Sequence, residues 1–113
     1  MTAMPASEAA PQWQRVGLLN EIPRMGAKTL THPGGRVAVF RTADDQVFAL
    51  DDACPHRGGP LSQGIVSGCR VYCPLHDWCI ELQSGEAVAP DEGQTGTLAT
   101  RVDGDVVFVA LPI

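Results

Sequence analysis

No stretch of this sequence approaches the roughly 20 consecutive apolar residues that a membrane-spanning helix needs, which argues against a helical membrane anchor. Lys and Arg never cluster. Eight Lys and Arg stand against 13 Asp and Glu, for a formal net charge of −5. Without a basic stripe, nucleic acid and anionic membranes are poor partners. No segment sustains a helical period, and nothing repeats at a fixed interval. No Gly-x-Gly-x-x-Gly follows a strand-like segment, so the usual nicotinamide-binding fingerprint is missing. The opening MTAMPASEAAPQWQ has neither a basic n-region nor an apolar core, so a secretory signal is not expected. These absences predict a disordered lead over residues 1–11, a single domain over 12–113, and a cytoplasmic location. Thiols stay reduced there, so the four cysteines read as metal ligands or thiols rather than disulfides.

What is present is punctuation. Twelve glycines and nine prolines divide the chain into short apolar stretches. Trp13 to Val16 suits a first strand, and Leu18 to Arg24 has room for one helical turn. Lys28 to Thr31 reads as a strand stopped by His32-Pro33-Gly34-Gly35. Arg36 to Arg41, a turn at Asp44-Asp45 and Gln46 to Leu50 form a hairpin. Leu61 to Tyr72 can run out and return as another. Trp78 to Leu82 is followed by a Ser84-Gly85 turn and a Pro90 to Gly93 loop. Thr97 to Val102 and Val106 to Leu111, joined at Asp103-Gly104, close the chain with a hairpin. Many short strands joined by turns predict an all-β fold, a small antiparallel sandwich or barrel. The hairpin core would be Val37, Val39, Val47, Ala49, Val106 and Phe108, or the alternate set.

The chemistry concentrates in CPHRGGPLSQGIVSGCRVYCPLHDW, Cys54 to Trp78. Two pairs, Cys54-x-His56 and Cys73-x-x-His76, are separated by 16 residues. Pro55 and Pro74 stiffen the chain between ligands, and Gly58, Gly59 and Gly64 permit tight backbone turns. Two ligand schemes fit. A mononuclear zinc site can use two cysteines and two histidines, but structural zinc sites usually pair like with like along the chain. One Cys and one His per loop also suits two unlike irons, with each loop giving one ligand to each.

This arrangement resembles the Rieske [2Fe–2S] family, over nearly the whole chain. The resemblance implies a Rieske-like antiparallel fold with two cluster-binding loops, Cys54 and Cys73 on the inner iron, and His56 and His76 on the outer one. Two thiolates and two neutral imidazoles leave the oxidised cluster neutral, whereas four thiolates would leave a dianion. An added electron then meets less repulsion, and the potential rises to about −150 to +300 mV. High-potential members of the family add a disulfide between the loops and hydroxyl donors to the cluster sulfurs. The matching positions are Gly59 and Leu75 for the disulfide, and Trp78 and Ile80 for the hydroxyls. None can serve, so a potential near the low end of that range is expected.

Within the family, CPHRGGPLSQGIVSG, CPLHDW, ELQSGEA and PDEG look most like the small subunit of the NAD(P)H-dependent nitrite reductase. That resemblance implies electron transfer, with nitrite reduced to ammonium on a large subunit carrying flavin and siroheme. A Rieske ferredoxin serving a ring-hydroxylating oxygenase is the alternative. Of the remaining residues, Cys69 and Cys79 read as plain thiols, Arg57 and Asp77 as surface or capping residues, and Trp78 as a core aromatic. His32 reads as a turn residue. Pro60, Pro74 and Leu75 flank the ligands and suit an apolar rim.

Overall fold

The structure, a computed structural model, describes residues 12–32, 35–55, 59–75 and 78–111. The expected lead over residues 1–11 and the turn residues Pro33 and Gly34 lie outside the described residues. So do His56, Arg57, Gly58, His76 and Asp77.

The described residues form β1 (Gln12–Leu18), β2 (Gly26–His32), β3 (Gly35–Arg41), β4 (Val47–Asp51), β5 (Ile65–Ser67), β6 (Arg70–Tyr72), β7 (Cys79–Glu81), β8 (Thr97–Leu98), β9 (Thr100–Asp103) and β10 (Val106–Leu111). Short 3-10 turns occupy Leu19–Glu21, where one helical turn was expected, and Leu61–Gln63. Every strand pairing is antiparallel. The sheets run β1-β10-β9, β2-β3-β4-β8 and β5-β6-β7. The fold is therefore all-β, and among the described residues the sheets do not close into a barrel.

Strand β3 explains the layering. Val37, Ala38, Val39 and Phe40 are all buried, because side chains alternate across a strand and both faces of this one are covered. Val37 and Val39 join Val16, Ile22, Ala49, Val107 and Val109 in one core. Ala38 and Phe40 join Leu50, Leu61, Val66, Val71, Ile80, Leu82, Cys54 and Cys73 in the other. Each large side chain so buried contributes about 1.5–3 kcal/mol. The central sheet thus divides two cores, and the second holds both candidate thiolate ligands.

Val37, Val39 and Ala49 share a core as expected, with half-buried Val47 packed against it. On β10 the alternate set wins: Val107 and Val109 are buried. Phe108 faces outward, where Arg101 sits over its ring at 5.1 Å and over the Trp13 ring at 4.9 Å. Three expectations need correction. The strand anticipated over Thr97 to Val102 breaks at Ala99, with β8 pairing β4 and β9 pairing β10. The Ala99 carbonyl accepts the Ala110 N–H at 2.9 Å, so the chain steps between sheets there. The last turn is Gly104-Asp105 and not Asp103-Gly104, because Asp103 pairs with Val106. Gly104 has φ 63°, which suits the first central position of a type II′ turn. His32 is the last residue of β2, paired with Gly35, and not a turn residue.

Candidate metal centre

Two loops carry the candidate ligands, and they are built alike. The first leaves β4 at Asp51 and re-enters regular structure at the Leu61–Gln63 turn. Its Cys54 N–H donates to the Gly59 carbonyl at 2.8 Å. The second leaves β6 at Tyr72 and enters β7 at Cys79. Its Cys73 N–H donates to the Trp78 carbonyl at 2.8 Å. Each cysteine therefore closes its loop through its own amide, onto a carbonyl five residues further along. A histidine of the motif falls between the ends of each loop in sequence, although His56 and His76 themselves lie outside the described residues.

Both cysteines are buried, 3% exposed at Cys54 and 1% at Cys73, and both belong to the same core. Gly59 is where the loops meet. A Cβ placed there would stand 2.8 Å from Leu75 Cδ1 and 3.1 Å from Cys73 Sγ. The missing side chain is what lets the second loop close against the first. Positions 59 and 75 do face each other across the loops, as the family's disulfide positions would, but a leucine fills the gap. The Trp78 side chain packs against the second core from a partly buried position, and Ile80 is wholly buried in it.

A third segment supports both loops. The Pro90 to Gly93 stretch was legible as a loop, but not its location. A Cβ on Gly93 would lie 3.0 Å from Pro55 Cβ and 3.9 Å from Trp78 Cζ3, so this segment passes beside one residue of each ligand loop. Its base is tied by bridges from Ile80 to Ala87 and from Glu86 to Gln94. Backbone bonds from Ala87 to Gly93 and from Thr95 to Gly85, each 2.9 Å, complete it. Its approach to Pro55 joins residues far apart in sequence, and Pro-Asp-Glu-Gly by itself signals only a turn.

The other cysteines stand apart from this centre. Cys69 is exposed in the β5–β6 turn, with Sγ 3.9 Å from Gln46 Oε1. Cys79 is half-buried opposite Tyr72 in the β6–β7 pair. Its hydrogen bond with the Tyr72 phenol holds that hydroxyl above its usual pKa of 10.0.

Two soft sulfur donors, buried together at the bases of matched loops, suit iron of a small cluster. The missing side chain at Gly59, which lets Leu75 and Cys73 Sγ close against the first loop, keeps the two sulfur-bearing loops together. The chain matches the Rieske [2Fe–2S] domain over residues 12–101. It is 27% identical over 101 residues to the ferredoxin component of the naphthalene 1,2-dioxygenase system of Pseudomonas aeruginosa, covering 88% of this chain and 96% of that protein. It is 35% identical over 66 residues to the oxygenase component of a 3-ketosteroid-9-alpha-monooxygenase of Rhodococcus rhodochrous. That match covers 58% of this chain, which spans only 17% of the oxygenase component. Among solved structures, one assigned as an NADH-dependent nitrite reductase small subunit of Mycobacterium tuberculosis superposes with a TM-score of 0.81 at 21% identity. It is covered to 96% by 90% of this chain, and at that identity the likeness establishes the fold.

Proposed function

Because the chain belongs to the Rieske [2Fe–2S] family, its cofactor being a Rieske-type cluster, we propose that Cys54 and Cys73 hold the inner iron and His56 and His76 the outer one. The domain then serves as the electron-transfer small subunit of an NAD(P)H nitrite reductase. The observation that carries the ligand assignment is the pair of matched loops, each closed from a cysteine amide, with both sulfurs in one buried core. When bound, the cluster supplies a site for one electron at a time. The protein's own part is to bury the two thiolates, exclude water through Leu61, Ile80 and Leu82, and hold the loops together at Gly59 and Leu75. Reduction of nitrite to ammonium takes six electrons, so the nitrite site belongs to a partner subunit carrying flavin and siroheme. The residues that favour this partner are RGGPLSQGIVSG between the ligands, with CPLHDW and PDEG after them.

A second reading has a specific observation in its favour. The naphthalene dioxygenase ferredoxin matches almost end to end, which suits a free carrier delivering electrons to an oxygenase. Two measurements follow, the first on the ligand set that both readings share and the second on the choice between them. Replacing Cys54 or Cys73 by Ser, or His56 or His76 by Ala, abolishes the Rieske electron paramagnetic resonance signal if the ligands are as assigned; a signal surviving all four changes overturns them. Co-purification from the native host with a siroheme flavoprotein, and restoration of NAD(P)H-dependent ammonium formation by adding the domain, supports the nitrite reductase. Co-purification with an oxygenase and its reductase supports the ferredoxin.

A further inference from the structure

Asp52 is a charged residue with a wholly buried side chain, two positions before Cys54. Its Oδ1 accepts the Ser62 N–H at 2.8 Å, and its Oδ2 accepts the Ser62 hydroxyl at 2.8 Å. The Asp52 N–H donates to the Arg36 carbonyl at 2.9 Å, and Arg36 Nε stands 3.4 Å from Oδ2. One carboxylate thus joins the residue entering the first ligand loop to the residue leaving it, and joins both to the start of β3. Burying a carboxylate is costly, and it is tolerated where hydrogen bonds and a counter-charge compensate it. The donors here are on Ser62 and the counter-charge is on Arg36.

We propose that Asp52 is a positioning residue for the cluster, and that the Asp52–Arg36 pair sets the electrostatic level at which it accepts an electron. The inference rests on Cys54 being an iron ligand. Two residues span at most about 7 Å of chain, so the Cα that carries the carboxylate lies within about that distance of the Cys54 Cα. A buried negative charge at that range opposes arrival of an electron. The Arg36 guanidinium offsets it only in part, because its side chain is 57% exposed and water screens it. The loop tie and the charge are separable. Ser62→Ala removes one tie and leaves both charges, whereas Asp52→Asn removes the charge and keeps an acceptor for the Ser62 N–H.

The experiment is redox titration of the cluster, followed by electron paramagnetic resonance, in the full chain. The wild-type Rieske signal tests the functional reading by itself; given that signal, the variants test Asp52. Asp52→Asn shifts the midpoint potential upward and Arg36→Gln shifts it downward by a smaller amount. Ser62→Ala leaves the potential near wild type while the cluster bleaches several-fold faster in chelator. A purely structural role would not produce opposite shifts from the two charge changes. Equal potentials in Asp52→Asn, Arg36→Gln and wild type overturn the proposal, as do shifts of the same sign. Should Asp52→Asn fail to fold, the exposed Arg36→Gln alone decides, since an unchanged or raised potential there rejects the pair.

Discussion

At the scale of single residues, the centre depends on atoms that are missing. Gly59 lies between the two ligand loops with Leu75 Cδ1 and Cys73 Sγ in the space where its side chain would grow. Leu75 is half exposed, so its side-chain tip has room to move aside; Cys73 Sγ, buried in the core, has less freedom. Gly59→Ala is therefore expected to cost about 1–3 kcal/mol by overpacking and to speed cluster loss. Urea unfolding and the decay of visible absorbance measure the two effects separately. Gly85 faces a different constraint, with φ 75° and a would-be Cβ against the Thr95 carbonyl. The candidate ligand pairs stand out in the sequence at this scale because metal chemistry restricts residue types and spacing. Asp52 does not, since its role appears only when Ser62 and Arg36, distant in sequence, converge on one carboxylate.

At the scale of elements, the hairpins carry the site and their turns carry the chemistry. Gly64 ends the Leu61–Gln63 turn and starts the run into β5. A Cβ there would collide with the Tyr72 carbonyl and crowd Val71 Cγ2 at 2.9 Å. Both belong to β6, which leads directly into Cys73, and a backbone carbonyl cannot move like a side-chain tip. Gly64→Ala should destabilise by about 3 kcal/mol, toward the upper end of overpacking costs, and displace the second ligand loop. Thermal unfolding together with the linewidth of the cluster signal checks this. The β3–β4 turn shows a pH dependence. Hydrogen bonds from Thr42 and Gln46 hold Asp44 below the ordinary 3.8. A hydrogen bond from Arg41, then attraction from Arg24, holds Asp45 below it too. Depressed carboxylates contribute stability above their unfolded value and lose it as pH falls through the folded one. Protection of the amides at residues 42–46, taken relative to unstructured peptide at each pH, should therefore persist at neutral pH and fall only below about pH 4. Loss of protection already at pH 6 would show the turn is held by something else. The sequence reading located β3, β4 and β10 because apolar runs between turn residues are local signals. It missed the break at Ala99, because a change of sheet depends on partners brought in by the tertiary fold.

At the scale of the molecule, the central sheet separates the two cores, and this division predicts which changes reach the cluster. Val107 lies in the core on the far side from both cysteines. Val107→Ala should cost about 2 kcal/mol through lost burial and the cavity left behind, with the midpoint potential unchanged. On the near side, Leu75 follows Cys73 by two residues and is 51% exposed, next to exposed Pro74. If His56 and His76 hold the outer iron as proposed, an electron leaving through it needs close approach by a partner, and an apolar rim there can be desolvated at little cost. A buried charge would not be tolerated at such a rim. Leu75→Glu introduces one on a chain already at −5. If this rim is the docking surface, that change slows electron transfer with the partner at least tenfold, or about 1.4 kcal/mol, while the spectrum and potential of the isolated domain barely move. Stopped-flow reduction against the purified partner reads the rate, and the same experiment on Ile65→Glu provides the control. Ile65 is 70% exposed and sits on β5, at the edge of its sheet. Equal slowing by both variants would mean that general charge repulsion governs the encounter; slowing by Leu75→Glu alone assigns the electron exit to the rim between the loops.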